Sequence, residues 1–164
     1  MHEVDEFQER QTVTYYRTRG FTLIELMVVI AIMAIMAAIA APNFKSFMAQ
    51  RRLNGAARQV MSDLMAARMK AVTINQKVKV SFTGNHAYEI WNDANSNGTV
   101  ADNEGDDVAK DIQVDYHDVT FSSTANPVFD PRGTAAALAT VTLTNSAGSK
   151  TVSVAITGRV VISG

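Results

Sequence analysis

Cysteine is absent from this 164-residue chain, which excludes a disulfide scaffold, a thiol nucleophile and thiolate metal sites. Proline occurs three times and aromatic residues make up 7%, too few aromatics for a row of base-stacking platforms. Charge of one sign is also missing. Fifteen Lys and Arg stand against sixteen Asp and Glu, a formal net charge of −1, so no global field gathers a polyanion and any such binding must be local. The three histidines, His2, His86 and His117, are scattered, no Gly-x-Ser-x-Gly elbow occurs, and Gly148-Ser149-Lys150-Thr151 lacks the upstream glycine of a phosphate loop. Catalysis has no visible machinery, and His86, beside a turn, reads as a surface residue.

One long apolar run stands out. Phe21 to Ala41 reads FTLIELMVVIAIMAIMAAIAA and is apolar except for Thr22 and Glu25. At about 1.5 Å per residue it reaches roughly 30 Å as a helix, the thickness of a bilayer's hydrocarbon core. Arg17 and Arg19 precede it, favouring a cytoplasmic N-terminal side and export of the chain beyond Ala41. A plain anchor has no use for Glu25, whose carboxylate costs on the order of 3 kcal/mol in hydrocarbon unless paired. A secretory signal cleaved at Ala38-Ile39-Ala40 gains nothing from it either.

The segment Gly20-Phe21-Thr22-Leu23-Ile24-Glu25-Leu26, continued by the apolar helix and Pro42, resembles the processing site of type IV prepilins and pseudopilins. The resemblance implies cleavage between Gly20 and Phe21 by prepilin peptidase, N-methylation of Phe21, and a bend at Pro42. It also implies that Glu25 is neutralised by the Phe21 amine of a neighbouring subunit, which removes the buried-charge penalty only on assembly. Residues 1–20 are then a leader to be discarded, 21–41 the transmembrane and filament-core helix, 42–75 its amphipathic half, and 76–164 a β-sheet domain.

Beyond Pro42, Leu53, Ala57, Val60, Leu64 and Ala71 form an apolar stripe with Met61, Met65 and Val72 beside it, the spacing of an amphipathic helix. The methionines read as core filler. Arg51, Arg52, Arg58, Arg68 and Lys70 lie on the other face, and with Lys45, Lys77 and Lys79 they oppose the single acid Asp63 between residues 43 and 79. That face reads as solvated or intersubunit, with a DNA-tracking stripe as the alternative. From Lys77 the period changes to two. Val78, Val80 and Phe82 alternate with polar residues, Gly84-Asn85 marks a turn, and Ala87–Trp91 returns. Further strands are expected at Ile112–Tyr116, Val119–Ser122, Thr140–Thr144, Thr151–Ile156 and Val160–Ile162, with turns at Pro131–Gly133 and Ala147-Gly148. The expected fold is α+β: one long N-terminal helix packed on an antiparallel sheet.

Phe129-Asp130-Pro131-Arg132-Gly133, the β runs after it and Gly158-Arg159-Val160-Val161 resemble the GspH/FimT branch of pilin-like proteins, minor pseudopilins of type II secretion and minor pilins of type IV pili. The resemblance implies a non-catalytic subunit that assembles with other pilins or pseudopilins. It would be held in the inner membrane with a periplasmic C-terminal domain, and its partners could include an exported protein. Some FimT-type members bind DNA through Gly-Arg-x-Arg. Gly158 and Arg159 match that motif, while Val161 stands in place of its second arginine, so Arg159 is the candidate DNA contact.

Residues 93–104, DANSNGTVADNE, fit the twelve-residue calcium-loop pattern. Asp93, Asn95 and Asn97 supply side-chain oxygens, Thr99 a carbonyl and Glu104 a bidentate carboxylate, while Gly98 allows the sharp turn. Asparagine at two positions lowers the ligand charge, and the flanks lack the paired helices of an EF-hand, so a weak Ca2+ site of about 10⁻⁴ to 10⁻³ M is expected. An Asn/Asp/Gly-rich hairpin loop needing no metal fits the same residues. Nine acids against Lys110 between Glu89 and Asp118 create a repulsion that a divalent cation would relieve. A calcium-binding envelope protein that never polymerises is the remaining alternative.

Overall fold

The computed structural model describes residues 20–93 and 108–164. The chain divides after Ile39 into two units, and helix α1, Leu23–Ile74, runs through the boundary. Pro42 lies inside this helix. It removes one backbone donor, yet the helix continues through it. The helix stops after Ile74 because Asn75 adopts a left-handed conformation, φ 54°, which terminates a helix and which asparagine tolerates better than most residues.

Up to Ile39 every described residue is exposed. The second unit, from Ala40, is a packed α+β domain. Its first sheet has the order β3-β2-β1-β5, with β1 Lys77–Thr83, β2 Ala87–Asp93, β3 Val108–Asp111 and β5 Val128–Phe129. The second has the order β4-β6-β7-β8, with β4 Thr120–Ser123, β6 Ala139–Asn145, β7 Gly148–Val154 and β8 Val160–Ser163. All pairings are antiparallel. Backbone bonds join the sheets: Phe121 N–H donates to Asn85 O at 2.7 Å, and Ala135, bridged to Phe129, donates to Ile156 O at 2.9 Å.

Both sheets share one core with the helix. Leu53, Ala56, Ala57, Val60, Leu64, Ala67 and Ala71 face Val78, Val80, Tyr88, Ile90 and Phe129 of the first sheet and Phe121, Val141, Leu143, Val152 and Val154 of the second. Gly55 makes room for a ring: a Cβ there would sit 2.6 Å from Tyr116 Cε1, in the loop before β4. Phe82, Tyr88 and Phe121 form an aromatic trio with centroids 5.2 to 6.1 Å apart, within the range of favourable ring contacts.

The expected hairpin is Lys77–Thr83 with Ala87–Asp93, in the register that pairs Val80 with Ile90. Three expectations need correction, and two strands are additional. Ile112–Tyr116 is not a strand, because the Asp111 carboxylate accepts the Gln113 N–H at 2.8 Å and caps a 3-10 turn over Ile112–Val114. The strand expected at Thr151–Ile156 ends at Val154, where residues 155–158 turn, Gly158 N–H donating to Ala155 O. Met65 and Val72 are exposed rather than beside the core, while Met61 packs against it. β3 and β5 were not expected: Val108-Ala109-Lys110-Asp111 does not alternate apolar with polar, and β5 has only two residues.

Candidate functional site

The N-terminal site begins with a peptide bond outside any regular element. Gly20, Phe21 and Thr22 precede the helix and all three are exposed. A Cβ on Gly20 would meet nothing within 4 Å, so the fold itself does not demand glycine there. Thr22 caps the helix: its Oγ1 accepts the Glu25 N–H at 3.2 Å and its carbonyl accepts the Leu26 N–H at 3.1 Å. Thr22 and Glu25 thus hold the first and last positions of a Thr-x-x-Glu capping sequence, and an acid in the first turn also suits the positive end of the helix dipole. Phe21 is 81% exposed, and the run behind it has a mean hydropathy of 2.8 with none of it buried. The length and composition are those of a membrane-spanning helix.

The basic face is not one free stripe. Arg52 forms a bidentate pair with Asp118, Nε to Oδ1 at 2.6 Å and Nη2 to Oδ2 at 2.9 Å. Asn145 Nδ2 donates to Ala49 O at 2.8 Å and to Asp118 Oδ2 at 3.2 Å, so one cluster fastens the β6–β7 turn to the helix. The Arg52 hydrogen bond holds the Asp118 carboxyl below the usual carboxylate range, against the opposing effect of burial. Arg68 Nε donates to Gly133 O at 2.7 Å, and Lys79 stands 5.1 Å from the Trp91 ring. Arg51 and Arg58 are exposed. Elsewhere Tyr88 Oη donates to Asp63 Oδ2 at 2.5 Å, tying sheet to helix; burial first, then this bond, pushes the Tyr88 phenol well above its ordinary value.

Arg159 is exposed in the β7–β8 turn, and Val161 lies in β8 opposite Ser153. Gly158 has a structural reason of its own. Its φ is +77°, and a Cβ would fall 1.9 Å from Gly133 O and 2.9 Å from Arg68 Nε, so backbone packing requires glycine here. Of the calcium-loop residues, Asp93 ends β2 and is 2% exposed. Asn95, Asn97, Thr99 and Glu104 lie outside the described residues. His86 is half-exposed, its Nδ1 3.1 Å from Asp111 Oδ1.

Sequence reasoning missed the Thr22 cap and the Arg52–Asp118–Asn145 cluster. The Thr-x-x-Glu spacing carried the signal for the first. Nothing local carried one for the second, whose members lie 66 and 27 positions apart.

This apolar, capped N-terminal helix running into a two-sheet α+β domain defines the pilin-like class. Residues 16–41 match the prokaryotic N-terminal methylation motif, and residues 56–158 match the family described as type II transport protein GspH. The chain belongs to that family. It is 60% identical over 36 residues to the type IV major pilin protein PilA of Myxococcus xanthus, covering 22% of this chain and 16% of that protein. It is 56% identical over 39 residues to the fimbrial protein EcpB of Eikenella corrodens, covering 24% of each. The chain therefore matches less than a quarter of the length of these relatives. Two crystal forms of the type IV minor pilin FimU of Pseudomonas aeruginosa share the fold. One aligns with TM-score 0.54 at 16% identity over 72% of this chain and 92% of that one, the other with 0.53 at 16% over 68% and 93%.

Proposed function

We propose that this chain is a minor pilin or pseudopilin, a non-catalytic subunit that assembles with other pilin-like subunits into, or initiates, a type IV pilus or a type II secretion pseudopilus. The observation that carries the reading is the joining, in one chain, of a methylation segment over residues 16–41 to a GspH domain over residues 56–158. Prepilin peptidase cuts between Gly20 and Phe21, a bond whose two residues are exposed and lie ahead of the helix. Phe21 becomes the methylated N-terminus. Its amine then neutralises Glu25 of a neighbouring subunit, so assembly offsets the cost of a carboxylate among apolar helices. Before assembly the protein spans the inner membrane, with Arg17 and Arg19 favouring a periplasmic C-terminal domain; an exported protein is a candidate partner.

Intact mass and N-terminal peptide mapping, with and without an active prepilin peptidase, test this directly. A peptidase-dependent start at N-methylated Phe21 is expected. A start at Ala41 would replace the filament role with ordinary secretion.

The buried Asp93 at the end of β2 supports a second, local proposal: residues 93–104 take Ca2+ weakly and clamp the loop. Millimolar Ca2+ should then raise the melting temperature, and Glu104→Gln should abolish the rise; no rise in the unsubstituted protein would end the idea. A DNA-binding role has less behind it, because packing already accounts for Gly158. Absence of DNA binding at low salt would close it.

A further inference from the structure

Phe44 and Phe47 are 64% and 57% exposed although they come directly after the membrane-length run. With Met48 and Arg51 they fall at i, i+3, i+4 and i+7, which places them on one helix face, while Ala49, Leu53, Ala56 and Val60 occupy the buried face. Lys45 and Arg51 are exposed, whereas Arg52 is committed to Asp118. The Arg51 guanidinium lies 5.8 Å from the Phe47 ring centroid, so its charge is carried back toward the N-terminal end of the helix. No acid occurs between Asn43 and Ser62. Phe44, Lys45, Met48, Ala49 and Arg52 also line, with Ser146 of the β6–β7 turn, an open groove of about 490 Å³.

We infer that this patch, Phe44 to Arg51, is a seat for the surface of a bilayer containing anionic phospholipid. Continuity along the chain and charge together single out that occupant. Phe44 comes about 4.5 Å after Ala41 at the helical rise, inside a headgroup layer roughly 5 to 7 Å thick; the Arg51 backbone, about 15 Å after Ala41, lies beyond that layer, and its side chain reaches back toward it over the Phe47 ring. Aromatic rings favour that layer, and lysine or arginine beside it pairs with lipid phosphate. The seat rests on the proposed spanning of Phe21–Ala41 and adds to it a contact that holds the sheet domain at the membrane until the subunit is drawn into a filament.

The test uses the full chain, whose lack of cysteine permits single spin labels at Ser46→Cys or Ile32→Cys. Vesicles are phosphatidylcholine alone or mixed with phosphatidylglycerol. In the mixture the Ser46 label should be shielded from a water-soluble relaxant. Shielding should fall in phosphatidylcholine alone, in Phe44→Ser/Phe47→Ser, and in Lys45→Gln or Arg51→Gln, about fivefold in seated population per cation removed. Arg58→Gln, two turns further on, should change nothing. Equal exposure in both vesicles and all variants would overturn the seat while a dry Ile32 label leaves the spanning helix standing. A wet Ile32 label would remove both. Shielding of the Ser46 label that is equal in both vesicles and rises with protein-to-lipid ratio would overturn the lipid seat in favour of a second copy of this chain.

Discussion

Between Leu23 and Phe47 helix α1 buries no side chain, whereas between Ala49 and Ala71 it buries a stripe of alanine, leucine and valine. The first stretch is hydrophobic all round, so no single face can dock on a sheet and the whole surface calls for an apolar solvent or other helices. The second is amphipathic and dominated on its inner face by alanine. Both sheets pack their apolar side chains on this face, and Gly55 leaves room for the Tyr116 ring. One continuous element thus meets two different surroundings, and substitutions in the two stretches should have opposite signatures.

The largest expected effect lies in the packed stretch and its sheets. Phe129→Ala removes a fully buried ring at the junction of β5 with β1 and should cost about 3 to 5 kcal/mol by denaturant unfolding. Gly158→Ala should cost about 3 kcal/mol, because a Cβ 1.9 Å from Gly133 O combines overpacking with a strained φ. If it is tolerated, the glycine of the Gly158-Arg159 pair is not structural and its DNA reading regains force.

Tyr88→Phe keeps the ring but deletes the bond to Asp63, and should cost about 1.5 to 3 kcal/mol, as for hydrogen bonds to charged groups. Acid should act next. Arg52 depresses the folded-state pKa of Asp118, and the Gln113 N–H, with His86 adding to it, depresses that of Asp111. Both contributions are therefore present above the unfolded carboxylate value near about 4 and are lost as the pH falls below it. Unfolding measured down the pH scale should lose stability there, with a shallower slope in Asp118→Asn. The smallest effect on stability should come from Glu25→Ala, within about 0.5 kcal/mol for the sheet unit, while subunit assembly is lost. A large drop in the sheet unit's stability would break the division between the two stretches.

Much of the fold was legible in the residues alone. The apolar run, Gly20-Phe21 and Glu25 are local signals, and so are the stripe from Leu53 to Ala71 and the Val78/Val80/Phe82 alternation, because period and length alone fix them. β3 and β5 were invisible: Val-Ala-Lys-Asp does not alternate and two residues carry no period, so their pairing partners set them. Ile112–Tyr116 misled because its apolar residues suggested a strand while Asp111, a capping acid, decided for a 3-10 turn.

The sequence by itself determined that the chain has a membrane-length apolar helix with a capping signal at Thr22, a processing-type segment before it, and an α+β remainder, since each arises from residues within a few positions of one another. Only the tertiary structure decided that there are two sheets over one helix, that Arg52 is spent on Asp118 and Arg68 on Gly133, and that Gly158 answers to backbone packing. Those outcomes depend on groups brought together from 25 to 90 positions apart, and no local pattern encodes which distant carbonyl or carboxylate a side chain will meet.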